Sequence, residues 1–464
     1  MIRKVCAAIL FSAALGNLAT AQVQSDSTTD LETVSINLEQ AVEYALANNR
    51  TLKSNDIDLE MKARAAKYSW NVFLPSVSVS GTMNRSTEYS PSSAAMSGGL
   101  KTDFADEEEH WAAVGNVSAS LNLSLAYIWQ IRAKKAEYEN GKISWEQSQK
   151  DTILNIKKLF YGLLLQQENL KIQKATLENA RQRMVQAQTS YKAGAIPELS
   201  LLQTQVNYQN TKPDVESAEQ SLIQSLDTFA FLLGMPVGTR IKLEGAIEPK
   251  YIDTDVATLI DNYGENDLDI RALKGQVDVL KMNLSALDIA TWTPALALSY
   301  GWQPAYIGTD GAFHFYKGIG NDDDWYDSGS LSLTLAWNVT NMLPWSSNRQ
   351  QAKDLKANIA KLELTMETLR ENQKVEVRKA VDTLNQAKAQ IDAMGRNVTL
   401  AQRAYDATYR SYRNGMTELL DLRDAEESLN KAKLGLLNQK YSYISALMDL
   451  ENTLNTPLTD SAAE

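Results

Sequence analysis

Ser190-Tyr191-Lys192-Ala193-Gly194 and Ser411-Tyr412-Arg413-Asn414-Gly415 are two copies of one signal, set 221 residues apart. With no gap, the same offset lays Leu199 on Leu420, Leu201 on Leu422, Leu226 on Leu447, and Leu233-Gly234-Met235-Pro236 on Leu454-Asn455-Thr456-Pro457. Upstream it lays Ala136 on Ala357 and Leu163 on Leu384. A gapless register over roughly 100 residues requires helices whose length is fixed by geometry, because loops accept insertions far more readily. The chain therefore reads as an internal duplication.

Within each copy the apolar period is that of a coiled coil. Ala380, Leu384, Ala387, Ile391, Met394, Val398, Ala401, Tyr405, Thr408 and Tyr412 follow a 4-3 spacing. A second seam beyond the glycine runs through Leu422, Ala425, Leu429, Ala432, Leu436, Tyr443 and Leu450. Sustained spacing of this kind packs helices side by side along their length. Gly194 and Gly415 each stop a long helix where positive φ is needed, and Pro197 fits the first turn of the returning helix. Pro213, inside that returning helix, is expected to kink it.

Lengths then divide the chain. The first repeat, 22–249, holds a helix over 38–73, strands over 75–85 and 116–127, helices over 131–193 and 197–233, and an equatorial segment over 234–249. The second, 250–457, holds a helix over 256–291, strands over 294–302 and 328–338, and helices over 349–413 and 417–454, before a tail, 458–464. The 131–193 helix spans roughly 95 Å at 1.5 Å per residue. The 38–73 and 197–233 helices, at about 54 and 55 Å, match it when stacked end to end.

The compartment follows from the N-terminus. Arg3 and Lys4 precede an apolar run from Val5 to Leu15, and Ala19-Thr20-Ala21 offers small residues at a cleavable site. That is the order of a secretory signal peptide, expected over 1–21, and the run is too short to span a membrane. The one cysteine, Cys6, falls inside the removable segment rather than at its end, so neither a lipid anchor nor a disulfide is expected. No later stretch of 18 or more apolar residues offers a transmembrane helix. The net charge of −11 becomes −13 when Arg3 and Lys4 leave, and without a basic stripe nucleic acid is not a partner.

Four segments alternate with period two. Ser120-Leu121-Asn122-Leu123-Ser124-Leu125 and Ser330-Leu331-Ser332-Leu333-Thr334-Leu335-Ala336-Trp337 pair with Pro75–Ser80 and Pro294–Tyr300. Aromatic residues (Trp70, Tyr127, Trp129, Trp292, Trp302, Trp337 and Trp345) cluster at their ends. Apolar on one face, polar on the other and aromatic at the boundaries is what a membrane barrel requires. Four strands cannot close round a pore and open edges are forbidden in lipid, so several protomers must contribute; a trimer gives twelve strands. A soluble sandwich face explains the alternation locally, but not why each strand pair interrupts such long helices. The loops within the pairs carry Asp106-Glu107-Glu108-Glu109, Asp322-Asp323-Asp324 and the only two histidines, His110 and His314. None has ligand spacing, so they read as solvated charge, with no metal and no cofactor expected. No nucleophile–base arrangement or phosphate loop is present either, which argues against an enzyme.

Leu38-Glu39-Gln40-Ala41-Val42-Glu43-Tyr44-Ala45-Leu46-Ala47-Asn48-Asn49, with the duplicated Tyr-x-x-Gly tips, resembles the TolC family of outer-membrane efflux proteins over essentially the whole mature chain. The resemblance implies an α+β membrane protein of the Gram-negative outer membrane: a homotrimer with a twelve-stranded β-barrel, four strands per protomer, in outer-membrane lipid, continued by a periplasmic α-helical coiled-coil barrel. It implies docking at Tyr191, Gly194, Tyr412 and Gly415 to a periplasmic adaptor and an inner-membrane transporter. It also carries over an entrance gate of Asp421, Asp424 and Tyr412. Three-fold symmetry would place six carboxylates round a narrow mouth, favouring cations. Without the family, the two aspartates are ordinary solvated helix acids. The family's Arg–Asp entrance lock is missing, because its positions hold Thr417 and Ser200. The expected function is a duct of a tripartite export system, with a passive porin or a type I protein-secretion component as alternatives.

Overall fold

The computed structural model of the chain describes residues 34–85, 111–236, 238–252, 255–264, 266–306 and 325–458. The expected signal segment, Asp106–Glu109, Asp322–Asp324, His110, His314 and the last six residues of the tail lie outside the described residues.

Two helices of 67 residues dominate: α3 (Ala126–Lys192) and α7 (Ser347–Arg413), each about 100 Å long. Each turns back into a helix of 35 residues, α4 (Glu198–Leu232) and α8 (Leu419–Thr453). All four boundaries agree at the 221-residue offset. Shorter helices α1 (Leu38–Asn48), α2 (Arg50–Lys67), α5 (Val256–Tyr263) and α6 (Leu268–Trp292) complete the helical part. Towards the hairpin tips the packing order is α4–α3–α8–α7; towards the sheet it is α2–α3–α6–α7.

Several boundaries differ from those expected, each for a local reason. The 38–73 helix breaks at Asn49, whose side chain accepts from the N–H groups of Thr51 and Leu52 and so ends α1 while capping α2. It stops at Lys67, giving way to a 3₁₀ turn, Ser69–Phe73. The 256–291 helix divides likewise, because Asp267 caps α6 through the N–H groups of Asp269 and Ile270. α3 starts at Ala126, not 131, where the Ser124 hydroxyl accepts the Ala126 N–H at 3.2 Å. Pro197 is the N-cap of α4 rather than a first-turn residue, and α8 begins at Leu419, not 417. Pro213 lies inside α4, whose helical assignment runs continuously through it. Within 234–249 a strand, β4 (Ile241–Leu243), pairs in parallel with β1 (Val34–Ile36), which no alternation signalled.

Two apolar cores grip the middles of the long helices. Ile36, Ala41, Phe160, Leu164, Phe229 and Leu243 form one. Leu259, Val377, Leu384, Tyr443 and Leu450 form the other, with the Tyr443 hydroxyl accepting the Ile252 N–H at 3.0 Å. Here the short helices meet end to end. Asn49 Nδ2 donates to the Leu232 carbonyl at 2.8 Å at the end of α4, and Asn455 Nδ2 reaches the Asn266 carbonyl beside the start of α6.

The remaining strands, β2 (Ser76–Arg85), β3 (Trp111–Leu123), β5 (Ala295–Tyr306) and β6 (Trp325–Ala336), form one antiparallel sheet in the order β2-β3-β5-β6. They replace the expected 75–85, 116–127, 294–302 and 328–338. The register aligns like with like: Leu121 faces Leu298, which faces Leu333, while Ser76, Ser120, Ser299 and Ser332 form one row. Hydroxyl pairs link Ser76 to Ser120 and Ser78 to Ser118 at 2.7 Å, and Ser299 to Ser332 at 2.6 Å. The apolar face is bare: Val79 is 74%, Leu331 72% and Leu335 68% exposed. Trp292 and Trp129, at the junction with the helices, lie under the guanidinium groups of Arg349 and Arg132.

Candidate functional site

The sequence-predicted site residues gather at the end remote from the sheet, where both hairpins turn. α3 ends at Lys192 and Gly194 takes φ 69°; α7 ends at Arg413 and Gly415 takes φ 72°. The two turns are alike in hydrogen bonding. The Ala195 N–H donates to the Ser190 carbonyl and the Met416 N–H to the Ser411 carbonyl, both at 2.9 Å. This is the six-to-one closure that a left-handed residue after a helix permits. No atom lies within 4 Å of where a Cβ would stand on either glycine, so both backbones face open space. Tyr191 is exposed and Tyr412 half-buried.

Asp421 and Asp424 lie together on the first turns of α8, both exposed. Asp421 also caps its own helix. Its Oδ2 accepts the Glu418 N–H at 3.3 Å while the Glu418 side chain accepts the Asp421 N–H, a reciprocal pair at the helix start. Neither aspartate forms an ion pair among the described residues. Thr417 and Ser200 line a cavity of about 1000 Å³ between the tips, and the Thr417 hydroxyl is buried there without a partner.

Sequence reasoning missed a buried ion pair that links the two hairpins near their tips. Arg183 on α3 donates through Nη2 to Glu426 Oε2 on α8 at 2.5 Å, and Asn179 Nδ2 donates to Glu426 Oε1 at 2.8 Å. The two charged side chains are only 8% and 6% exposed. Farther from the tips, Asn430 Nδ2 donates to Thr176 Oγ1 at 2.9 Å. The α3–α8 joint near the tips is thus polar. Beside it, Tyr405 of α7 has its phenol pushed up, by burial first and by the charge of Glu426 second. A signal existed: Arg183 lies eleven residues before one tip glycine and Glu426 eleven after the other, at equal depth.

A sheet with a bare apolar face, mounted on paired long hairpins with matched turns, is the form of a channel subunit anchored in a membrane. A family model of the outer membrane efflux proteins matches residues 41–235 and 259–456, and the chain belongs to that family. It is accordingly an outer-membrane duct of tripartite export in a Gram-negative bacterium, with a large periplasmic portion; the family is one of channels. Among its relatives, the outer membrane protein TolC of Vibrio cholerae is 22% identical over 451 residues, 97% of this chain and 94% of that one. The Campylobacter jejuni CmeC outer membrane channel superposes with a TM-score of 0.72 at 17% identity, covering 92% of this chain and 88% of that one. The open-state Neisseria gonorrhoeae MtrE channel gives 0.67 at 16% identity, covering 93% and 94%.

Proposed function

We propose that this duct is a homotrimer whose sheets close into a twelve-stranded barrel, continued by a coiled-coil tunnel whose two halves arose by duplication. The observation that carries this is the sheet itself. β2 and β6 are its outer strands, and between them lie an apolar face suited to lipid and a hydroxyl face suited to water. Unpaired backbone is not tolerated in hydrocarbon, so closure must come from neighbouring copies. The tips, at Tyr191, Gly194, Tyr412 and Gly415, then face a periplasmic adaptor and the inner-membrane transporter, and Asp421, Asp424 and Tyr412 ring the entrance. A passive porin would have no use for two matched, open-backbone turns. Native mass spectrometry of the detergent-extracted protein tests the assembly: a trimer is expected, and a monodisperse monomer that conducts ions would sink the architecture.

A further inference from the structure

We propose that the helix ends beneath the sheet form a cationic collar that binds the headgroups of anionic phospholipids. The inference rests on the barrel reading above, because an apolar sheet held in hydrocarbon puts whatever flanks it among headgroups. Two layers follow the sheet along the molecule. The first, residues 68–75, 124–125, 293–294 and 337–346, carries no charge and holds Tyr68, Trp70, Phe73, Trp337 and Trp345, the last 75% exposed. The second is the sheet-facing ends of α2, α3, α6 and α7, residues 58–67, 126–135, 283–292 and 347–356. It holds nine Lys or Arg against four Asp or Glu, in a chain whose net charge is −11. The sign of the charge therefore reverses just where the aromatic layer ends.

The duplication sets cations at equal depth in both halves. At the 221-residue offset Arg132 falls on Lys353 and Lys135 on Lys356, just as the helix start Ala126 falls on Ser347. All four are exposed, and none forms an ion pair among the described residues. They lie about 9 and 14 Å along their helices, each i, i+3 pair on one face. From there their long side chains reach back towards a phosphate layer. Arg132 is stacked over Trp129 at 4.7 Å, and Lys67, at the end of α2, lies over Tyr68 at 5.4 Å. The ring steadies the cation and leaves N–H donors for phosphate oxygens. Two of the four acids already face cations: Asp288 lies 3.8 Å from Arg349, and Glu60 3.7 Å from Arg64. A zwitterionic headgroup offers this excess no net charge to neutralise, so the partner is an anionic phosphodiester lipid.

The test uses the full chain reconstituted in phosphatidylcholine vesicles that contain trace spin-labelled phosphatidylglycerol or, separately, spin-labelled phosphatidylcholine. Electron paramagnetic resonance measures the fraction of each lipid immobilised at the protein boundary. Phosphatidylglycerol should be enriched there at least about twofold over phosphatidylcholine at low ionic strength, and equal to it in about 1 M salt. The variant Arg132→Gln, Lys135→Gln, Lys353→Gln, Lys356→Gln should lose the enrichment with unchanged helical content. Exchanging the same residues as Arg132→Lys, Lys135→Arg, Lys353→Arg, Lys356→Arg should keep it. So should replacing four exposed cations remote from the sheet, Lys171, Lys192, Lys379 and Lys431, by Gln. Boundary phosphatidylcholine without any preference for phosphatidylglycerol overturns the collar and leaves the barrel standing. Enrichment that persists in the four-Gln collar variant, or that falls equally in the remote one, also overturns it. No immobilised lipid of either kind would overturn the barrel reading, and the collar with it.

Discussion

Glu426→Gln removes the charge from the joint between the hairpins and leaves the Arg183 guanidinium buried without its counter-ion. Because the pair is 8% and 6% exposed, the loss is governed by desolvation rather than by surface screening. Truncating one partner of such a pair costs about 3–5 kcal/mol, whereas replacing both with apolar residues of similar volume is close to neutral. Glu426→Gln and Arg183→Met should thus each weaken the joint by about 3 kcal/mol, and the combination Arg183→Met with Glu426→Leu should recover most of it. Hydrogen exchange is the suitable assay, since it reports opening of one region without unfolding the whole assembly. Amides of α3 and α8 beside the pair should exchange roughly a hundredfold faster in either single variant and near the parent rate in the double. Amides in the two equatorial cores should not change. The Tyr405 phenol should also titrate lower in Glu426→Gln, since the nearby charge that helps to raise it is gone. Unchanged exchange in the single variants, or a double variant as fast as the two effects summed, would refute the claim that this pair holds the hairpins in register.

Asp421→Asn with Asp424→Asn should abolish cation preference and multivalent block of the closed channel in planar bilayers while leaving trimer stability unchanged; identical recordings would reduce both residues to surface acids. Asn at 421 can still accept the Glu418 N–H, so the helix cap survives the test. Gly194→Val with Gly415→Val forces β-branched residues to φ near 70° at a cost of about 1–2 kcal/mol each. Export should fall at normal abundance in the outer membrane, and unaffected export would move the docking surface elsewhere. Asp267 has its carboxyl raised, by burial first, despite two backbone donors. The folded protein therefore takes up this proton while the unfolded chain is still ionised, so its contribution to stability grows as pH falls through the raised value and levels off below the ordinary one. Asp267→Asn keeps the cap and should remove that component from denaturation curves collected from neutral to acid pH.

The parts written in sequence were those set by repetition and period. Leu233-Gly234 falling on Leu454-Asn455 fixed the ends of α4 and α8, and both Gly234 and Asn455 take positive φ, at 78° and 53°. Gly234 is there because a Cβ would come 2.4 Å from the Asn48 carbonyl. Alternation likewise marked both faces of the sheet. Breaks made by a single side chain were not legible: Asn49 and Asp267 look like ordinary polar residues until their neighbours' N–H groups are placed. β1 and β4, three residues each, were too short for any period to register. Arg183 and Glu426 flank their apolar seams by one position, where charge normally faces solvent. Only the packing of a third helix against that flank buries them.

The two outer strands of the sheet bear on how the molecule is made. β2 and β6 run 10 and 12 residues, and half the backbone groups on each outer edge point away from the sheet. In water those groups are hydrated at little cost; in hydrocarbon each would cost several kcal/mol. The bare leucine face pulls the other way, since in water it is an invitation to aggregate. A solitary subunit is therefore unsuited to either side of the membrane boundary. Its biogenesis is a timing problem: the subunits have to find one another while still escorted, and enter the bilayer as, or after, their edges are joined.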